Sequence, residues 1–183
     1  MRIDLDRAAL AIQLLVEGSS VRATSRITGL AQDTISSLIL TVGDNCEKFL
    51  SKTIKDMPCN FVEADEVWSF VGMKNRTKKN RGYESNEIGD SWTYVALDRE
   101  TKLVLAHHIG DRTLTDAYSF LDKLNDATSG EFQLTTDGWQ GYTTAVPMTF
   151  GRRVHFAQLI KNYEKEQETI RYSPPKILSL IHI

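Results

Sequence analysis

The stretch that decides the reading runs Asn60-Phe-Val-Glu-Ala-Asp-Glu-Val-Trp-Ser-Phe-Val-Gly-Met-Lys74. Its Val62, Val67, Trp68, Phe70 and Val71 supply the β-branched and aromatic content of a buried strand. Into that strand the chain sets Glu63, Asp65 and Glu66. A carboxylate there is costly unless a cation meets it, either a Lys or Arg head or a metal ion. A second stretch, Phe132-Gln-Leu-Thr-Thr-Asp-Gly-Trp139, again ends an apolar strand on an aspartate, Asp137, followed at once by a turn glycine. Two such carboxylates, set side by side by a sheet, begin a divalent-metal site.

Working outward from the first strand, Asn75 to Arg81 reads as a basic loop. Ser91–Leu97 and Lys102–Ile109 read as two further strands joined by an Asp98–Thr101 turn, so the first three strands form an antiparallel meander. Thr113 or Thr115 caps a helix with Ala117, Phe120, Leu121 and Leu124 on one apolar stripe. Gln133–Thr136 is the fourth strand, ending on Asp137. Trp139–Val146 is a short helix, and Val154–Ala157 the fifth strand. The order β-β-β-α-β-α-β matches an α/β, ribonuclease-H-like fold, a mixed five-stranded sheet with helices. In that fold the fourth strand lies parallel to the first and beside it, which would make Asp65 and Asp137 neighbours.

Upstream, residues 6–17 carry a strong apolar helix that stops at Gly18. Ser19 or Ser20 can cap a second helix running to about Ile27, and Thr28-Gly29-Leu30 makes a turn. In a third helix Ile35, Leu38, Ile39 and Val42 fall at the spacing of a buried face. Helix, short glycine turn and helix is the layout of a helix-turn-helix. Gln32, Asp33, Thr34, Ser36 and Ser37 would then line the groove-facing side, with Arg22 and Arg26 on phosphate. A small helical bundle that only packs gives the same pattern. The polar segment Ser51–Pro58 reads as the linker, dividing residues 1–57, a small all-α DNA-binding domain, from residues 58–183, the α/β core.

The 22 Lys and Arg against 24 Asp and Glu give a net charge of −2, which argues against a histone-like mass binder of nucleic acid and leaves room for a local basic patch. Hydrophobic residues at 41% and charged residues at 25% fit an ordinary globular chain. Cys46 and Cys59 are too few for a zinc knuckle and read as buried free thiols. Asp4, Asp6 and Glu17 interrupt or flank the first apolar run, so it is not read as a signal peptide. With no window long enough for a membrane span, the expectation is a soluble, cytoplasmic protein. His107, His108 and His155 read as packing or surface residues, and Trp68, Trp92 and Trp139 as core. Arg152, Arg153 and Lys161 could extend a DNA track from Lys74, Arg76, Lys78, Lys79 and Arg81.

Two aspartates a few ångströms apart suit Mg²⁺, with Mn²⁺ able to substitute, and with water completing the octahedron. Such a centre points to phosphoryl transfer on nucleic acid without choosing among nucleases, resolvases, integrases and transposases. The segments Asp65–Lys74, Thr135–Gly138, Tyr142, Lys161–Tyr163 and Tyr172–Pro174 resemble the insertion-sequence-1 family of bacterial transposases. The Leu15–Thr24 segment, Thr28-Gly29 and the Cys46–Cys59 region are similar to its N-terminal DNA-binding part.

The resemblance implies a DDE enzyme that cuts and joins the DNA ends of its own element, the terminal inverted repeats, using Mg²⁺. Asp65 and Asp137 would be its first two catalytic and metal-binding acids, and a homo-oligomer is compatible with it. The family's third acid lies in a Tyr-Val-Glu-Arg-x-Asn-Leu-Thr motif beyond Tyr-Ser-Pro, and no such segment follows Pro175 here. Glu164, Glu166 and Glu168 are alternative third acids. Two expectations therefore stand side by side: a truncated transposase of weak or no activity, and a non-catalytic DNA-binding protein that occupies element ends.

Overall fold

The computed structural model describes residues 3–163 and 177–181, and the chain divides into two compact units, Met1–Thr53 and Ile54–Ile183. The first holds three helices: α1 (Leu5–Val16), α2 (Val21–Thr28) and α3 (Gln32–Thr53). Asp4 caps α1 by accepting from the Asp6 N–H, and Ser20 caps α2 by accepting from the Ala23 N–H at 3.2 Å. Gly29 ends α2 at φ 70°, the left-handed conformation that glycine adopts without a Cβ penalty. Ala11, Thr24, Thr28 and Ile35 form the buried centre. The apolar stripe expected on α3 is buried only at Ile35; Ile39 is 40% exposed, because three helices of this size have too little surface to cover a whole face.

The division at Thr53/Ile54 falls inside the expected boundary segment Ser51–Pro58, although part of that segment is structured: α3 runs through Thr53, and β1 (Met57–Pro58) pairs with a later strand. Then follow β2 (Phe61–Val71), α4 (Asn75–Asn80), β3 (Gly89–Asp98), β4 (Val104–Gly110), α5 (Leu114–Ala127), β5 (Thr128–Ser129), β6 (Phe132–Asp137), α6 (Gln140–Phe150), β7 (Val154–Tyr163) and β8 (Ile177–Ile181). The five expected strands form one mixed sheet in the order β4-β3-β2-β6-β7, and β8 pairs antiparallel beyond β7. β2 and β3 are antiparallel, whereas β2 and β6 are parallel, as are β6 and β7.

Helices α5 and α6 supply Phe120, Leu121, Leu124, Tyr142, Ala145 and Val146 to one continuous core with Val62, Ala64, Tyr94, Ala96 and Leu134. Alternation along the strands explains this: positions 62 and 64 of β2, and 132, 134 and 136 of β6, all turn to the helices. The expected buried character of β2 holds for its first half only. Val67, Trp68, Phe70 and Val71 are 62%, 39%, 46% and 57% exposed, because the β2–β3 ladder runs on to Val71↔Gly89 whereas the β2–β6 pairing stops at Glu63. The basic stretch after β2 is the short helix α4 rather than a loop. Among the described residues, no helix is long and apolar enough to cross a membrane.

Candidate functional site

The parallel β2–β6 ladder pairs Phe61 with Gln133, Val62 with Leu134 and Glu63 with Thr135. Two residues beyond the last of these pairs, Asp65 on β2 and Asp137 at the end of β6 follow on the two strands. One carboxylate oxygen from each of Asp65, Asp137 and Glu66 lies within 4.8 Å of the others. Oxygens bound to one Mg²⁺ at about 2.1 Å can be no more than about 4.2 Å apart. Closing the cluster on a cation thus asks for a shift of roughly half an ångström. An all-carboxylate donor set suits a hard divalent ion, so these residues fit one.

Glu66 has the parity of Val62 and Ala64, and its side chain points coreward at 1% exposure. Its Oε2 forms an ion pair with Nη2 of Arg112 at 2.9 Å, while Oε1 is buried with no hydrogen-bond partner among the described residues. Burial pushes the Glu66 carboxyl above its ordinary range. The Tyr142 hydroxyl opposes that rise without the geometry of a formed hydrogen bond, Asp137 adds to it, and Arg112 opposes it. Tyr142, wholly buried, is itself raised, first by burial and then by Glu66. Burial and the charge of Glu66 push Tyr94 up to about 12.

Glu66 gives the fold a pH signature. A carboxyl whose pKa is raised on folding contributes stability that is complete below its unfolded value of 4.5 and is lost as pH rises through the folded value. Thermal melts of the chain should therefore lose stability from this group as pH climbs past about 4.5, and Glu66→Gln should flatten that part of the profile. An unchanged slope in the variant would assign the pH dependence elsewhere.

Both oxygens of Asp137 are engaged. Oδ1 accepts from the Trp139 backbone N–H at 3.0 Å and Oδ2 from Nη2 of Arg112 at 2.9 Å. Arg112 packs against the indoles of Trp92 and Trp139, its Cζ 4.8 and 5.2 Å from their centroids. On the open side, Asp65 Oδ1 accepts from the Glu66 backbone N–H at 2.8 Å.

Sequence reasoning brought Asp65 and Asp137 forward but missed Glu66 and Arg112 as members of the cluster. Glu66 left a signal: it continues the inward positions 62 and 64. Arg112 left none, since it sits in the loop between β4 and α5, far in sequence from both acids.

The remaining candidates are scattered over both units. Arg22 and Arg26 on α2, and Gln32 and Ser36 on α3, are exposed, and Thr34 is half-buried. Lys74 caps the N-terminus of α4, with Nζ 4.7 Å from the ring of Trp68. Arg76, Lys79 and Arg81 are exposed, and Lys78 is half-buried. Trp68 is a surface residue rather than core, whereas Trp92 and Trp139 pack against the core. Arg152 is exposed and Lys161 lies on β7. Arg153 is not available for a DNA track: it donates to the Thr128 carbonyl at 2.7 Å and to Asn125 Oδ1 at 2.8 Å, holding the end of α5.

Cys46 is exposed rather than buried, because the second half of α3 is solvent-facing, and Cys59 is half-buried. His108 pairs with Asp116 at 2.9 Å beside Gly110, where an added Cβ would push against the Asp116 carboxylate and disturb that pair. Burial raises the Asp116 carboxyl, but bonds from Thr113 and His108 outweigh it and leave it below its ordinary value. Glu164, Glu166 and Glu168 lie outside the described residues.

The fold is similar to that of a solved transposase. It is similar to the piggyBac transposase in a synaptic complex with hairpin DNA, with a TM-score of 0.50 at 11% identity over 95% of this chain and 46% of that one. In sequence it is 32% identical over 83 residues to the insertion element IS1 protein InsB of Shigella flexneri. That match takes in 44% of this chain and 50% of the relative, so the chain spans about half the length of the proteins it matches. Residues 59–173, which contain both β2 and β6, match the family described as IS1 transposase, and the chain belongs to that family.

Proposed function

We propose that this chain carries the catalytic centre of a DDE-type, metal-dependent DNA transposase on a ribonuclease-H-like core. The observation that carries the reading is the meeting of Asp65, Glu66 and Asp137 carboxylate oxygens within 4.8 Å at adjacent parallel strands. Family membership implies a divalent metal; we assign Mg²⁺, with Mn²⁺ as substitute, to Asp65 and Asp137. When bound, the ion lowers the pKa of a water or hydroxyl nucleophile and neutralises charge on the phosphodiester.

The chain's own residues prepare the site for that chemistry. Asp65 stands on the open face, where a DNA strand can reach it. Asp137 is held at both oxygens by Trp139 and Arg112, so its direction is set in advance. Lys74, Arg76, Lys78, Lys79 and Arg81, with Arg152 and Lys161, supply phosphate contacts. In the first unit α2, the Gly29 turn and α3 act as a helix-turn-helix, with Gln32, Thr34 and Ser36 toward base edges and Arg22 and Arg26 on phosphate. The DNA would be the element's terminal repeats, held by more than one copy of the chain.

The test is nicking of a duplex carrying an element end by the purified chain. Strand breaks that need Mg²⁺ or Mn²⁺ and stop on chelation are expected. Gln32→Ala should reduce the preference for that end over a scrambled duplex while leaving non-specific binding nearly unchanged. Tight, selective binding with no metal-dependent break would instead make the chain an occupant of element ends.

A further inference from the structure

We propose that Arg112 is the positioning residue of the carboxylate centre, a clamp anchored on buried Glu66 and packed against Trp92 and Trp139 that fixes the direction of the Asp137 carboxylate before a cation arrives. The inference rests on the metal-dependent reading above and assigns to Arg112 a role in it.

A buried carboxylate needs a cation, and Arg112 meets that need of Glu66 at 2.9 Å. Were this all, the guanidinium would have no reason to touch anything else. Yet the same Nη2 also reaches Asp137 Oδ2 at 2.9 Å, joining a buried acid to a ligand on the rim. The guanidinium also packs against two indoles, its Cζ 4.8 and 5.2 Å from their centroids, and one of these belongs to Trp139, whose backbone N–H holds the other oxygen of Asp137. One residue, Trp139, thus braces both arms that grip the carboxylate.

Each carboxylate oxygen keeps a further lone pair, so the grip orients Asp137 without using up its capacity for a metal. Groups that hold metal ligands from behind in this way typically change affinity about 10- to 100-fold when removed. The clamp needs the guanidinium shape as well as its charge. A lysine ammonium can also donate to two acceptors, but it has no planar face to pack against Trp92 and Trp139 and so would not be held in one orientation.

The experiment measures Mn²⁺ binding to the full chain from the paramagnetic resonance of the free ion, with thermal melts run beside it to confirm that each protein is folded. Wild type should bind, and Asp137→Asn should lose the site. Arg112→Lys and Arg112→Gln should each weaken binding about 10-fold. Full affinity in folded Arg112→Lys would overturn the inference, since charge alone would then suffice. Tighter binding in Arg112→Gln would overturn it too, by making Arg112 a competitor of the metal. Absence of Mn²⁺ binding in wild type would instead remove the metal reading, and this inference with it.

A second measurement needs no variant. On titration of wild type with Mg²⁺, the Arg112 Nε–Hε resonance should keep the ring-current shift given by Trp92 and Trp139. Its movement to the position of a free arginine would show that the metal displaces the guanidinium and would refute the clamp.

Discussion

Replacing Asp137 with asparagine is expected to lower metal-dependent DNA nicking at least 100-fold while leaving the fold intact. The carboxylate closes β6 at the rim and is 39% exposed, so the isosteric amide is accommodated without a buried penalty. What it loses is a negative oxygen for the cation and the charge that draws Arg112 Nη2. Misplacing reacting groups by about 1 Å already costs roughly 10²-fold, and loss of a ligand removes both occupancy and aim. Asp65→Asn should behave alike, because a carboxylate oxygen of Asp65 lies within 4.8 Å of one of Asp137. Single-turnover nicking at saturating Mn²⁺, alongside circular dichroism, checks this. Retained cleavage in either variant would place the chemistry elsewhere.

Phe120→Ala should be the most damaging of the core truncations. Phe120 is fully buried on α5, its ring centroid 5.5 Å from that of Tyr94 on the interior strand β3. Removing a buried phenyl ring costs about 3–5 kcal/mol through lost burial and the cavity left behind. For a unit of this size that is a fall in Tm of roughly 10 °C. Denaturant melts give the measurement; a loss below about 1 kcal/mol would mean that α5 does not pack on the sheet as described.

The sheet was legible because strand signals survive in short windows. Val62, Trp92 to Leu97 and Phe132 to Thr136 carry β-branched and apolar content between clear turns, and those turns set the antiparallel meander. Asp65 and Asp137 were legible because charge inside such strands is conspicuous.

Three features were not. The exposure of Val67 to Val71 depends on where the β6 pairing stops, which no local pattern encodes. The helical form of Asn75–Asn80 was hidden by its charge, since a six-residue polar helix and a polar loop share one composition. Arg112 was hidden most completely: a cation in a loop carries no periodicity, and its partners Glu66, Trp92, Asp137 and Trp139 come from three strands and the turn that precedes α6. Glu66 lies between these cases, visible as a charge in a strand but assigned to its face only by the parity of Val62 and Ala64.

The central claim, that Asp65 and Asp137 share a divalent cation, is tested most directly by anomalous diffraction from crystals of the chain soaked in Mn²⁺. A single strong anomalous peak about 2.1 Å from a carboxylate oxygen of each aspartate is the predicted result. Ordered Mn²⁺ at other sites with none between these two side chains would contradict it.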